Sequence, residues 1–336
     1  MPYYTCITIV RNSDRAEIFI IPALPAIHRM ATSGWPGFFD DGCFFMEHMY
    51  DIKAVKERLL DRAWDVRDSD VVVATFPKSG TLWMLNVIST MYADMNMYLS
   101  PTDKAVRLGY VYEKTDEFVP GLYGEHVRNV KTNIPKMASP RLLACHVHPQ
   151  HFHSSWREGN RKCKIIYITR NPKDVCVSLY HFMRSVKFSR MELTWEEWVK
   201  EFAEGKVWFG PWLEHVSSWQ RYGRQDNVLH LQYEDMKLDL KSEILRVAEF
   251  LGRPLSEERL DMVVQNSTVE SMRKRGVDSR HWAVLHEGSW DSSGAYIRKG
   301  QSGNWKNHFT VAQSEWFDEY LKMERERKSL TVNYHM

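Results

Sequence analysis

The sequence is short of paired cysteines, of long apolar runs and of net charge. Its five cysteines, Cys6, Cys43, Cys145, Cys163 and Cys176, are odd in number and contain no C-x-x-C pair. Neither a disulfide framework nor a zinc site is indicated, and a reducing compartment fits. In the first thirty residues the apolar runs 6–10 and 18–22 are interrupted by Arg11, Asp14, Arg15 and Glu17. Neither run reaches the length of a membrane span, and the charges between them are not laid out as in a signal peptide. The expectation is a soluble, cytoplasmic protein with no membrane attachment. Lys and Arg total 45 against 43 Asp and Glu, a net charge of +2, which excludes a general nucleic-acid binder and confines any anion site to a local cluster.

What is present points to an α/β chain. At 336 residues it can bury a full core, as one large domain or two smaller ones. Thirteen Trp, fifteen Tyr and fifteen Phe suit either a large aromatic core or a pocket that stacks flat rings. Residues 1–45, punctuated by Pro22, Pro25 and Pro36, read as an irregular amino-terminal extension without chemistry, and 46–330 as the working domain.

The chain is organised around Val71-Val72-Val73-Ala74-Thr75-Phe76, a run suited to a central strand, with Pro77 ending it. Trp83, Leu85, Ile88, Met91, Tyr92 and Met95 then recur at helical spacing, so Lys78-Ser79-Gly80-Thr81 sits at a helix amino terminus, where unpaired N–H groups and the helix dipole favour an anion. The glycine that a nucleotide-triphosphate loop places before its lysine is missing. The turn is a phosphate cradle of another kind, or an ordinary turn with a surface lysine. A helix is expected over 51–64, and the Gly- and Pro-punctuated stretch 99–139 as loops and short helices shaping a substrate pocket.

A second buried strand, 141–145, ends at His146, with His148, His151 and His153 close behind. General base, metal ligand and satisfied core histidine are all open at this point, zinc being disfavoured for want of acidic or Cys partners. The third strand unit, 163–169, runs into Arg170-Asn171-Pro172, a helix-start signal with Ser178 on the helix beyond. The tryptophans of 193–220 are expected to pack helices together. A further strand near 227–232 and a helix over 240–251 closed by Gly252 complete an alternation that implies a parallel sheet. Late in the chain, Arg298-Lys299-Gly300 opens a loop suited to gripping a phosphate.

Taken together and in order, Phe76-Pro77-Lys78-Ser79-Gly80-Thr81-Leu82-Trp83, Arg170-Asn171-Pro172-Lys173-Asp174 with Ser178, and Arg298-Lys299-Gly300 through Gly303-Asn304-Trp305-Lys306-Asn307 closely resemble the signatures of the cytosolic sulfotransferases. The resemblance implies a single α/β domain, a central parallel sheet flanked by helices with a P-loop-like phosphosulfate-binding turn. It implies transfer of a sulfuryl group from 3′-phosphoadenosine 5′-phosphosulfate (PAPS) to a hydroxyl or amine of a small, aromatic or apolar acceptor, with PAP as product and no metal. By position, Lys78, Ser79, Gly80, Thr81, Leu82 and Trp83 would hold the phosphosulfate, Lys78 also stabilising the leaving group and Trp83 stacking on adenine. Arg170, Ser178, Arg298, Lys299 and Gly300 would hold the 3′-phosphate, Tyr233 and Ser267 would bind around the base, and His146 would be the general base. Leu82 stands where a second threonine is common, Ala144 where many members have lysine, Asn304 for the usual aspartate and Val269 for an adenine-flanking aromatic. Lys306, Thr310, Val311 and Glu315 fit the family's short dimerisation element, implying a homodimer. A catalytically silent PAPS-binding module and a nucleotide kinase are the alternative readings.

Overall fold

The computed structural model describes residues 9–12, 15–18, 37–40, 43–46, 56, 65–93, 106–107, 139–185, 191–222, 225–275 and 297–334. The expected helix over 51–64 and nearly all of the pocket-shaping stretch 99–139 lie outside these residues. Nine strands are described: β1 (Ile9–Asn12), β2 (Arg15–Ile18), β3 (Gly37–Asp40), β4 (Cys43–Met46), β5 (Val71–Thr75), β6 (Val106–Arg107), β7 (Leu142–Cys145), β8 (Lys164–Thr169) and β9 (Val228–Gln232). The last five form one sheet in the order β6-β7-β5-β8-β9, every pairing parallel, with Val71 opposite Leu142 on one side and Lys164 on the other. The chain leaves β5 toward β7 and β6 first and returns to β8 and β9 on the other flank, so the connections reverse direction beside β5, where α/β sheets bind ligands at their carboxyl ends.

The helices are α1 (Thr81–Met91), α2 (Ser154–Arg157), α3 (Pro172–Ser185), α4 (Trp195–Ala203), α5 (Trp212–Tyr222), α6 (Tyr233–Leu238), α7 (Leu240–Leu251), α8 (Glu257–Asn266), α9 (Val269–Lys274) and α10 (Val311–Arg327). Alternation along the strands divides the core between the two faces. Val72, Ala74, Leu143, Ile165 and Tyr167 face the tryptophan-rich side with Trp198, Trp212 and Trp219. Val71, Val73, Leu142, Ile166 and Ile168 face the side packed by α1, α7 and α8. The rings of 193–220 thus pack helices, as their spacing predicts.

Register at the amino end of the sheet is pinned by a buried ion pair. Arg141, just before β7, donates Nε and an Nη to the two carboxylate oxygens of Asp70, just before β5, at 2.7 and 2.6 Å, and both side chains are fully buried. Burying two charges is costly unless each is fully hydrogen-bonded, and here Asp65 and the Arg67 N–H complete the set.

The amino-terminal segment corrects the expectation of irregular structure. β1–β2 and β3–β4 are antiparallel pairs, Asn12 opposite Arg15 and Asp40 opposite Cys43, each with two residues between the strands. Asp41-Gly42 between two Phe-rich strands is the strong two-residue hairpin signal. Cys43 and Phe44 join the tryptophan-side core, and the Phe44 N–H donates to Gly210 O at 2.7 Å.

Candidate active site

Four strand ends open onto one region, and the first residues beyond them carry the chemistry: Phe76–Lys78 after β5, His146 after β7, Arg170 after β8 and Tyr233 after β9. A cleft lies there, lined by Lys78, Gly80, Thr81, Leu82, Trp83, Arg170, Ser178, Tyr233, Arg298, Lys299 and Gly300 together with Val269, Met272, Ile297 and Gln301.

The turn after β5 is built to present backbone. Lys78 has φ 70° and Gly80 φ 110°, and a Cβ on Gly80 would stand 3.1 Å from the Tyr233 ring, so glycine lets the chain pass close to the cleft. α4, α7, α8, α9 and α10 are each capped by a side chain, from Thr194, Asp239, Ser256, Thr268 and Thr310. α1 has Gly80 at its cap position, no side-chain cap and no acidic residue in its first turn, which leaves its first N–H groups and its dipole for an anion. Ser79 Oγ is buried with no partner. The Lys78 ammonium lies 4.5 Å from the centre of the Phe182 ring, which stacks on Trp208 at 6.1 Å.

A second cluster gathers cations whose acceptors are neutral. Arg170 donates to the carbonyls of Lys78 and Gln301, both at 3.0 Å, and lies 4.2 Å over the Tyr233 ring. Lys299 donates to Asn304 Oδ1 at 2.9 Å. Among the described residues no carboxylate is within ion-pair distance of Arg170, Arg298 or Lys299, and the Nε atoms of Arg170 and Arg298 are buried without partners. The field is visible in neighbouring groups. Burial, and then Arg170, hold Arg298 below its ordinary value, while burial followed by Arg298, His308, Arg184 and Lys299 pushes His181 down to about 4. Arg170 is buried, Arg298 half-buried and Lys299 exposed; a buried cation with no carboxylate partner is costly to keep, and a bound phosphate dianion would satisfy the cluster. The orphaned Ser79 hydroxyl, the two free Nε groups and the uncapped helix therefore fit a ligand with two anionic ends.

His146, 8 % exposed, is fixed by its neighbours. Its Nδ1 lies 2.9 Å from Thr75 O and 3.3 Å from Thr75 Oγ1, which in turn is 2.7 Å from Thr81 Oγ1. A carbonyl can only accept, so the neutral ring carries its proton on Nδ1 and its lone pair on Nε2. Trp208 and Phe209 stand 6.4 and 5.8 Å from the ring. The neighbouring histidines are different in kind. His148 is fully buried, hydrogen-bonded to Phe209 O at 3.1 Å, and pushed down to about 3 by burial and then by His151. It cannot supply the charge of the lysine that Ala144 replaces. No group of three or more His, Cys, Asp or Glu among the described residues is placed to hold a metal.

The cleft thus brings together Lys78, Gly80–Trp83, Arg170, Ser178, Tyr233 and Arg298–Gly300. Ser79 lies beneath the turn, and Ser267 lies behind Trp83, whose indole N–H donates to Ser267 O at 2.7 Å while Asn86 donates to Ser267 Oγ at 3.1 Å. Leu82 packs against Met272 and Ile297 as apolar wall. Sequence reasoning placed Asp174 in a signature but gave it no role; its carboxylate accepts the Gly303 and Trp305 N–H groups at 2.6 and 3.0 Å and so ties the late loop to α3. It also assigned nothing to Phe182 beside Lys78. Asn171 Oδ1 does accept the Lys173 N–H at 2.9 Å, the cap that its position predicted.

The family model for the sulfotransferase domain matches residues 68–330. The chain is 37 % identical to the amine sulfotransferase of Oryctolagus cuniculus over 284 residues, 84 % of this chain and 88 % of that protein. Its fold is similar to a crystal structure of retinol dehydratase in complex with androsterone and inactive cofactor PAP, at TM-score 0.76 and 20 % identity, covering 92 % of this chain and 96 % of that one. It is also similar to mouse sulfotransferase SULT7A1 complexed with PAP, at TM-score 0.68 and 25 % identity over 85 % of this chain and 94 % of that one.

Proposed function

The chain belongs to the sulfotransferase family and is a PAPS-dependent enzyme; we propose that it moves the sulfuryl group to a hydroxyl or amine of a small apolar acceptor with His146 as general base. The observation that carries this reading is the convergence of Lys78 with Gly80–Trp83, Arg170 with Ser178, and Arg298–Gly300 on one cleft, where Arg170 and Lys299 donate to neutral oxygens and no carboxylate among the described residues pairs with Arg170, Arg298 or Lys299.

When bound, PAPS supplies a sulfuryl group on a phosphate leaving group. The α1 amino terminus, Ser79 and Thr81 would hold the 5′ end, and Arg170, Ser178, Arg298, Lys299 and Gly300 would hold the 3′-phosphate. Lys78 sets a positive charge where negative charge builds on the leaving oxygen, an electrostatic contribution that needs no rearrangement in the transition state. His146, with its proton held on Nδ1 by Thr75 O, uses Nε2 to take the acceptor's O–H or N–H proton. Trp83, T-shaped to Tyr233 at 5.3 Å and anchored through its N–H, offers a ring face for adenine. Leu82 provides no hydroxyl, so the first-turn N–H groups carry that end of the site.

The same reading places the protein in the cytoplasm as a homodimer. The four described cysteines are buried free thiols, which suits a reducing compartment. Thr310 caps α10 beside Val311, 75 % exposed, with Lys306 and Glu315 also exposed, and Val311 offers an apolar contact for a second copy. The deciding experiment is an acceptor screen over phenols, alcohols, steroids and amines with labelled PAPS, run beside labelled ATP. Sulfation of at least one acceptor is expected. PAP binding without transfer to any acceptor supports the silent module instead, and transfer from ATP alone supports a kinase.

A further inference from the structure

We propose that Asn304 sets the charge of the 3′-phosphate pocket: its neutral amide holds Lys299 in place without neutralising it, and so favours a nucleotide carrying a ribose 3′-phosphate over one that lacks it. The inference rests on the sulfotransferase reading of this cleft.

Asn304 is 5 % exposed, and its Oδ1 accepts from Lys299 Nζ at 2.9 Å. Its Nδ2 is buried and donates to nothing. The amide nitrogen therefore contributes no hydrogen bond that a carboxylate of the same shape would forfeit. What separates asparagine from aspartate at this position is charge.

The surroundings show why a second carboxylate matters here. Asp174 straddles residue 304, accepting the N–H groups of Gly303 and Trp305 on either side. Its charge is thereby committed to the loop backbone, and it already acts on Arg298, opposing the lowering that burial and Arg170 impose. An aspartate at 304 would pair with Lys299, leaving the cleft with less positive charge for a dianion. With asparagine, Lys299 joins Arg170 and Arg298 as a cation lacking a carboxylate partner among the described residues. Position and charge are separated: Oδ1 fixes the ammonium and brings no counter-charge to it.

The test compares adenosine 3′,5′-bisphosphate with adenosine 5′-monophosphate by titration calorimetry in the full chain. Asn304→Asp is expected to weaken the bisphosphate by roughly tenfold and the monophosphate by less than about twofold, with the gap narrowing as salt is raised. If Asn304→Asp melts below the assay temperature, Lys299→Met alone reports on the charge: it should lower the preference for the bisphosphate and spare the monophosphate. Equal bisphosphate affinity in wild type and Asn304→Asp, or equal losses for the two nucleotides, overturns the inference. A wild-type protein that binds neither nucleotide overturns the sulfotransferase reading beneath it.

Discussion

Gly300→Ala tests whether the late loop must approach α9 as closely as the structure shows. Gly300 has φ +64°, and a Cβ there would stand 2.5 Å from Val269 Cγ2, with Cγ1 and Cβ of Val269 at 3.4 and 3.5 Å. The backbone conformation alone costs an alanine about 1 to 2 kcal/mol. Val269 is the first residue of α9, and a β-branched side chain in a helix has essentially one rotamer, so it has little freedom to swing aside. Overpacking of this kind adds roughly 1 to 3 kcal/mol. The sum, about 2 to 5 kcal/mol, falls on the loop that carries Arg298 and Lys299, and a tenfold change corresponds to about 1.4 kcal/mol. The PAP dissociation constant should therefore rise by at least about thirtyfold. Adding Val269→Ala removes the clash and leaves the backbone strain, so the double variant should recover to within roughly fivefold to thirtyfold of wild type. Calorimetry on the four proteins of the cycle reads this directly. Wild-type affinity in Gly300→Ala, or no recovery in the double variant, would show that the loop does not sit against Val269 when nucleotide binds.

Other consequences follow from the same geometry. His146→Ala should lower kcat by about 10²- to 10⁴-fold while PAP affinity stays near wild type, because Thr75 and Thr81 keep their own bond; unchanged turnover would reject His146 as the base. Removing one partner of the buried pair by Arg141→Met should cost roughly 3 to 5 kcal/mol in urea unfolding, and a loss below about 1 kcal/mol would mean that the pair is hydrated. Acid should destabilise the fold through its buried histidines. With His148 near 3 in the native state and 6.5 as the ordinary value, the unfolded chain binds more protons between those values, so stability is lost as pH falls below 6.5. At pH 5 that single group removes roughly 2 kcal/mol, and His215, fully buried and held well below its ordinary value by burial and then by His148, acts in the same direction. Urea midpoints that stay flat from pH 7 to 5 would contradict this burial. Sedimentation at micromolar protein should show a dimer that Val311→Glu disperses; a wild-type monomer would remove the assigned interface.

Much of this was legible in the chain because the informative residues sit next to unmistakable strands. Val71–Thr75 and Ile165–Thr169 are continuous buried runs, and Lys78, His146, Arg170 and Tyr233 come within three residues of a strand's carboxyl end, so locating the strands located the site. The limits arise where function depends on pairing across the chain. Nothing local marks Arg170 and Lys299 as cations with neutral acceptors, since those acceptors come from Lys78, Gln301 and Asn304. Asp174 looks like an ordinary first-turn helix acid, and only its contact with residues 303 and 305 gives it a role. The amino-terminal hairpins have strands too short to show periodicity, although Asp41-Gly42 between β3 and β4 is a two-residue hairpin signal. Acceptor identity was not legible, because the segments expected to wall the acceptor pocket carry weak, loop-like patterns.

Crystals of this protein grown with PAP examine the central claim most directly. Difference density should place the 5′-phosphate on the turn 78–83 at the start of α1, and the 3′-phosphate between Arg170 and Arg298 with Lys299 in reach. His146 Nε2 should face the open end of the 5′ site. A nucleotide bound in another cavity, or phosphates that leave Arg170 and Arg298 on separate sites, would contradict it.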